Sequence, residues 1–320
     1  MYLYSNIIGT FIFNQNYQIR EKYLFSDTEA KENLPILQQG GILKSEKKFL
    51  ERFKDIKNLR ETDDMAVLEK VYAALTAYID EFYWKNLYLT KSSVKESVTD
   101  DLLILQSSSS LQEIGKEINM TAKRLREWYS YVLPEAVHEL TDHKVFAQVI
   151  LKDAPSKLKS EFGVKVSMGK ELAKEDMNAI LSMAKLVLDL ISQKDYLENY
   201  LEKLMKKICP NMTAVAGYLT GAKLLTLAGS LREMVMMPAS TIQLLGAEKA
   251  LFRHMINKKA RSPKHGIIIE HPLVQKVSKA DKGRASRALA DKISMAAKID
   301  YFKGEFIGDK LRKQLEEKFK

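Results

Sequence analysis

Lys249, Phe252 and Arg253 place an aromatic ring between two cations one helical turn apart. Gly246 interrupts a mostly apolar stretch, and the residues from Ala247 onward fit a helix. At about 100° per residue, Ala247, Ala250, Leu251 and Met255 share one face, and Lys249, Phe252, Arg253 and Ile256 share the opposite one. A ring can stack on a base, and cations at this spacing can follow a phosphate backbone. On pattern alone, the alternative is that Phe252 and Ile256 pack on a neighbouring helix while the cations are solvated.

Charge placement favours an anionic partner. The 320-residue chain carries a net charge of +10. From Gly246 onward it holds 19 Lys and Arg against 9 Asp and Glu, whereas the first 245 residues hold 32 of each sign. A basic excess confined to one end points to nucleic acid.

Catalytic signatures are missing. Gly163 to Glu171, GVKVSMGKE, has five residues between its glycines where a phosphate-binding loop needs four, and Glu171 stands where the magnesium-binding hydroxyl would be. His138-Glu139 with His143 has histidines five apart rather than the four of a zinc helix. The five histidines show no metal-ligand spacing and read as surface-helix residues. Cys209 is the single cysteine, so no internal disulfide is possible, which suits a reducing cytoplasm. No apolar run approaches the roughly 20 residues of a membrane span. MYLYSNIIGTFIF at the N-terminus lacks a basic leader and a cleavage site. These features predict a soluble, intracellular protein with no catalytic residues, metal or cofactor.

The elements that must position this chemistry are mainly helical. Residues 1–96 read as a small α/β domain, with Tyr2 to Phe13 as one strand, a turn at Asn14-Gln15-Asn16, and a second strand near Gln18 to Phe25. Met65 to Leu89 reads as one helix, whose aromatics Tyr78, Phe82, Tyr83, Trp84 and Tyr88 are core or a protein-binding patch. Residues 97–208 carry two heptad stretches. One is Leu111, Ile114, Ile118, Thr121, Leu125, Trp128 and Val132. The other is Ile180, Met183, Val187, Leu190, Lys194, Leu197, Leu201, Leu204 and Ile208. Pro155, Gly163 and Gly169 between them let the chain reverse, which predicts an antiparallel coiled coil. Residues 209–320 read as an all-helical domain, with small residues such as Ala214, Gly217, Gly221 and Ala228 allowing close helix approach.

GAEKALFR at Gly246 to Arg253, followed by SPKHGIIIEHPLVQ and KGRASRALADKISMAAKID, closely resembles the Nop domain of box C/D small ribonucleoprotein core proteins. The likeness runs from about Cys209 to Glu305. Upstream, RLREWYSYVLPE at Arg124 to Glu135 and VTDDLLILQ at Val98 to Gln106 resemble the same family's coil.

The resemblance implies a scaffold rather than an enzyme. It assigns fibrillarin binding to residues 1–96, dimerisation to the coil, and RNA–protein recognition to the Nop domain. S-adenosylmethionine would sit on the partner fibrillarin, the RNA 2′-O-methyltransferase. The target of the Nop domain would be a box C/D kink-turn guide RNA together with the ribosomal-type protein bound to it. The implied contact residues are Gly246, Ala247, Glu248, Lys249, Ala250, Leu251, Phe252 and Arg253, with Lys258, Lys259, Arg261, Lys264 and His265 in the following loop. Lys282, Arg284 and Arg287 add a cationic face on the next helix. A homodimer would use Leu190, Leu197, Leu201 and Leu204. The N-terminal domain is shorter than the family's and diverges in sequence, so the resemblance assigns no individual fibrillarin contact residues. The absence of a long lysine-rich tail favours an archaeal source and a cytoplasmic location, with the nucleolus as the eukaryotic equivalent. The runner-up readings are a spliceosomal Nop-domain relative and a coiled-coil assembly protein without RNA binding. An RNA methyltransferase in its own right would need a cofactor loop that this sequence lacks.

Overall fold

The computed structural model describes residues 1–53, 56–59 and 64–319. It is mainly α-helical, and it divides into two compact units, Met1–Thr99 and Asp100–Lys320.

The first unit is built on a four-stranded sheet in the order β3-β2-β1-β4. Strands β1 (Tyr2–Ser5) and β2 (Gly9–Phe13) pair antiparallel, with Leu3 opposite Ile12. The single strand expected over Tyr2 to Phe13 is therefore a hairpin. Asn6 makes its turn: the side-chain oxygen accepts from the Ile8 and Gly9 N–H groups at 2.9 and 3.3 Å. Gly9 is needed there, because a Cβ would lie 2.2 Å from the Tyr23 carbonyl oxygen of β3 (Ile19–Leu24).

Helix α1 (Asp27–Gln38) starts from a Ser26–Glu29 capping box. Helix α2 (Lys44–Arg52) leads to the short β4 (Lys57–Asn58), which is parallel to β1. The helix expected from Met65 to Leu89 is two: α3 (Met65–Leu75) and α4 (Ile79–Ser97), separated by a 3₁₀ turn at Thr76–Tyr78. Phe82, Tyr83, Trp84 and Tyr88 of α4 are exposed rather than core.

In the second unit, α5 (Asp100–Tyr129) and α9 (Lys174–Ile208) form the long pair. They are antiparallel: Ile104 at the start of α5 shares a core with Leu201 and Met205, while Leu125 and Tyr129 at its end share one with Ile180 and Ala184. The seam differs from the expected heptad. Leu111, Ile118 and Leu125 are buried as read, but Ala122 and Tyr129 fill the alternating positions in place of Thr121 and Trp128. On α9, Ala184 and Met205 are buried where Met183 and Leu204 were expected. Ala122 and Ala184 carry little hydrophobic signal, yet their small side chains let the two backbones approach.

Helices α6 (Pro134–Glu139), α7 (His143–Lys152) and α8 (Pro155–Glu161) close the tip. Arg126 lies 4.5 Å from the Phe146 ring centre and donates to the Val137 and Thr141 carbonyl oxygens at 3.1 and 2.8 Å. The Gly163–Glu171 stretch joins α8 to α9. It is held by Glu135, which accepts from Ser167 Oγ at 2.9 Å and from the Met168 N–H at 3.1 Å.

At the other end, α10 (Pro210–Ala216), α11 (Tyr218–Ala228), α12 (Leu231–Met236), α13 (Ala239–Leu244), α14 (Glu248–Ile256), α15 (Pro272–Lys276), α16 (Lys282–Tyr301) and α17 (Gly308–Lys318) follow in order. Their core is continuous with the base of the coil: Ile104, Leu111, Leu201 and Met205 pack in one cluster with Met212, Leu225, Ile268 and Ile293. The boundary read at 208/209 thus does not separate two bodies.

Buried Asp300 of α16 ties this region together. Its oxygens accept from the Asn211 N–H, the Asn211 amide group and the Met212 N–H at 3.0, 2.8 and 2.8 Å. These bonds satisfy amides at the start of α10 that no helical carbonyl can reach. Asp101 of α5 likewise accepts from the Leu231 N–H at 2.8 Å, joining the coil to α12.

Three histidines read as surface residues have structural partners. His143 Nδ1 accepts from Arg126 Nε at 3.2 Å, His254 Nδ1 lies 2.6 Å from the Ala260 carbonyl, and His271 Nδ1 caps α15 by accepting from the Leu273 N–H at 3.2 Å. Burial pushes the His271 imidazole below its ordinary value, outweighing its bond to the Val215 carbonyl, and Arg312 lowers it further. A group charged more readily in the unfolded chain contributes stability above its unfolded value, near 6.5, and loses it as pH falls toward the folded value. Stability should therefore fall as pH drops from about 7 through the unfolded value, and His271→Asn should flatten that part of the profile. Urea midpoints measured across this range check it.

Candidate nucleic-acid interface

The segment from Gly246 to Gly266 leaves the helical body and returns to it. Both ends depend on glycine. Gly246 has φ 85°, a left-handed conformation, and Gly266 lies so close to Leu245 that a Cβ would sit 1.8 Å from its carbonyl oxygen. At the return point the Gly266 N–H donates to the Gln243 carbonyl and the Ile267 N–H to the Leu245 carbonyl, both at 2.8 Å. The excursion is thus anchored across a narrow neck to the end of α13.

Glu248 has a local role. Its carboxylate accepts from the Gly246 N–H at 2.6 Å, a charge-assisted bond at the start of α14. Ala247, Ala250, Leu251 and His254 form the half-buried side of α14. Met255, expected on that side, is exposed, and His254 takes the inner position. Lys249, Phe252, Arg253 and Ile256 face outward, with Phe252 59% and Ile256 88% exposed. The alternative in which Phe252 and Ile256 pack on a neighbouring helix is not what the fold adopts. α14 has no fully buried residue at all.

The loop after α14 turns at Asn257, whose side chain accepts from the Lys259 N–H at 3.0 Å. Lys258, Lys259, Arg261 and Lys264 are exposed, and His265 is half-buried. Among the described residues, neither these cations nor Lys249 and Arg253 make an ion pair with a carboxylate, so their charge faces outward without local neutralisation.

A groove of about 520 Å³ continues the positive surface. Its lining includes Ser240, Ser262, Lys264, Gly283, Arg284 and Arg287. Gln243 fixes its wall by donating to the Lys264 carbonyl at 2.5 Å. Arg287 is exposed, and Lys282 is half-buried at the start of α16. Arg284 is partly engaged, 3.4 Å from Asp281 and 5.9 Å from the Phe319 ring centre. Ser240, Gln243 and Ser262 were missed from sequence: neutral and scattered, they meet only through the neck at Gly266. The fold brings Lys264, Arg284 and Arg287 to one groove, while Lys249 and Arg253 stand on α14.

The four coil leucines occupy different environments. Leu201 is 1% exposed, and Leu197 and Leu204 pack half-buried against the same core. Leu190 is half-buried, and Leu186 and Tyr196 are the exposed large apolar residues of this helix. Burial inside the chain's own core removes Leu201 from any surface that a second copy could meet.

The family described as "Nop: snoRNA binding domain, fibrillarin" matches residues 110–320. An uncharacterised NOP5 family protein of Methanocaldococcus jannaschii is 40% identical over 258 residues, covering 74% of this chain and 62% of that protein. Nucleolar protein 58 of Candida albicans is 38% identical over 221 residues, 64% of this chain and 43% of its own length. Nucleolar protein 56 of Schizosaccharomyces pombe is 35% identical over 254 residues, 72% of this chain and 51% of its own length. The chain therefore spans less than two thirds of each of these relatives. A chain in the crystal structure of a fibrillarin/Nop5p complex aligns over 96% of this chain and 98% of its own length, at 23% identity and a TM-score of 0.45. With the family match running from within α5 of the coil through the last helix, residues 110–320, the chain belongs to the Nop family.

Proposed function

We propose that this protein is a non-catalytic scaffold of a box C/D guide ribonucleoprotein, bridging fibrillarin to a kink-turn RNA–protein complex for guided 2′-O-methylation. The observation that carries this reading is the Gly246–Gly266 excursion, an exposed helix and loop whose cations lack acidic partners among the described residues. Cations held in this way suit phosphate, and Phe252 beside them suits a base or an apolar protein surface. The cationic groove at Arg284 and Arg287 would extend the contact along the RNA. The curated relatives from fungi are named nucleolar proteins, and an equivalent location here depends on the source cell.

Fibrillarin is assigned to the first unit, where α4 exposes Phe82, Tyr83, Trp84 and Tyr88. A homodimer would use the outer coil surface around Leu186, Leu190 and Tyr196, since Leu201 is enclosed.

Reconstitution tests the scaffold. The protein is mixed with a box C/D RNA, the kink-turn protein and fibrillarin, and guided methylation should require all four components. A chain beginning at Asp100 should bind the RNA–protein complex as full length does, yet fail to recruit fibrillarin. Undiminished recruitment by that shorter chain, read by copurification, would overturn the assignment to the first unit.

A further inference from the structure

The geometry points to a cation-receiving pocket on the first unit, built by Trp84 and Tyr88 with Asp27, Asp80 and Glu81, that takes an arginine or lysine side chain of a partner protein. The cavity is about 570 Å³, and its remaining lining comes from Leu24, Phe25 and Lys85. Asp80, Trp84 and Tyr88 are spaced four residues apart, so one face of α4 presents a carboxylate and then two rings. Trp84 is 66% exposed, and Tyr83 packs edge-on against it, with ring centres 5.3 Å apart and planes at 76°. That contact leaves most of the indole surface open.

The charges in the pocket do not cancel. Lys85 is the single cation in the lining, and it is already engaged. Its side chain is largely buried, donates to the Phe25 carbonyl, and lies 3.8 Å from Asp27. Asp80 and Glu81 make no ion pair among the described residues. Two carboxylates beside an open indole face attract a cation and repel phosphate, so RNA is the wrong occupant. A guanidinium or ammonium fits both features. It meets the ring quadrupole face-on, and its charge is met by the carboxylates. The exposed tryptophan and tyrosine also supply aromatic area of the kind that protein interfaces concentrate at their centres.

The proposal rests on the reading of the first unit as the fibrillarin-binding part, with fibrillarin supplying the cation. The experiment separates the two. Fibrillarin affinity is measured for the full chain at 50, 150 and 500 mM salt, with Trp84→Ala, Trp84→Phe and the double change Asp80→Asn, Glu81→Gln. Trp84→Ala should weaken binding about tenfold, the worth of roughly 1.4 kcal/mol, and Trp84→Phe should restore part of it. The carboxylate double variant should lose a similar factor at 50 mM salt and little at 500 mM. All these residues are at the surface, so thermal melts should match wild type.

A second arm uses N-acetyl-argininamide and Trp84 fluorescence in a Trp128→Phe background, where Trp84 is the sole tryptophan. Saturable quenching that the carboxylate double variant abolishes supports the pocket. If fibrillarin binds but the variants bind equally well, the pocket is overturned and the fibrillarin reading stands. If fibrillarin fails to bind while argininamide does, the pocket stands and its partner is another protein. If neither binds, both are overturned.

Discussion

Leu201→Lys should unfold the base of the coil rather than separate two copies of the chain. Leu201 is enclosed by the core that joins α5 and α9 to the C-terminal helices. Removing the leucine forfeits about 2–3 kcal/mol of apolar burial, and the ammonium that replaces it would be placed among apolar side chains at a position only 1% exposed. The combined loss should be roughly 4 kcal/mol or more, a large part of the 5–15 kcal/mol that usually stabilises a domain. Leu186→Lys should behave differently. Leu186 is 50% exposed, so the change should cost about 0.5 kcal/mol or less. Urea unfolding and light scattering, run together, separate the cases. Leu201→Lys should show a collapsed transition or aggregation. Leu186→Lys with Leu190→Lys should keep the transition and lower the mass if the outer coil surface joins two copies. A Leu201→Lys protein that keeps the wild-type urea midpoint would show that this core does not depend on the coil.

The contrast shows what hydrophobic spacing can and cannot convey. Both long helices were legible, because apolar residues recur at three and four over many turns. The face was legible only to within one residue. Leu111, Ile118 and Leu125 belong equally to a 3-4 and a 4-3 reading, and the choice between Thr121 and Ala122 turns on packing against α9. The tip is decided by the Tyr129–Phe146 and Arg126–Phe146 contacts, which link residues seventeen and twenty apart. Asn6 hid a hairpin inside an apolar run because its turn has no glycine or proline at its centre. The exposed α4 aromatics read equally well as core, since composition does not say which side of a helix has a neighbour. At the proposed nucleic-acid surface, the Lys249–Phe252–Arg253 face follows from helical period alone. The neutral residues of the adjacent groove do not, because Gly266 assembles them across more than twenty residues of sequence.

Lys249→Ala with Arg253→Ala should weaken binding to the RNA–protein target and flatten its dependence on salt. Each cation that meets a phosphate releases a condensed counterion, which contributes a slope of about −0.9 in log affinity against log salt on duplex RNA or DNA and about −0.7 on a single strand. Removing two such contacts should flatten the slope by roughly 1.4 to 1.8. Neither residue is paired with a carboxylate among the described residues, so the substitutions leave no buried partner behind and folding should be unaffected. Phe252→Ala should act by another route. The ring is exposed and carries no charge, so its loss should lower affinity with the slope unchanged, by about 1–3 kcal/mol if the ring stacks on a base. Titrations between 50 and 500 mM salt, with and without the kink-turn protein on the RNA, also test whether the surface is composite. One exposed helix and a loop give limited contact, so affinity should rise sharply when that protein is present. Equal affinity in its absence would mean that the excursion reads RNA alone. An unchanged slope in the double variant would place the phosphate contacts elsewhere, and the groove at Lys264, Arg284 and Arg287 would then have to account for the salt dependence.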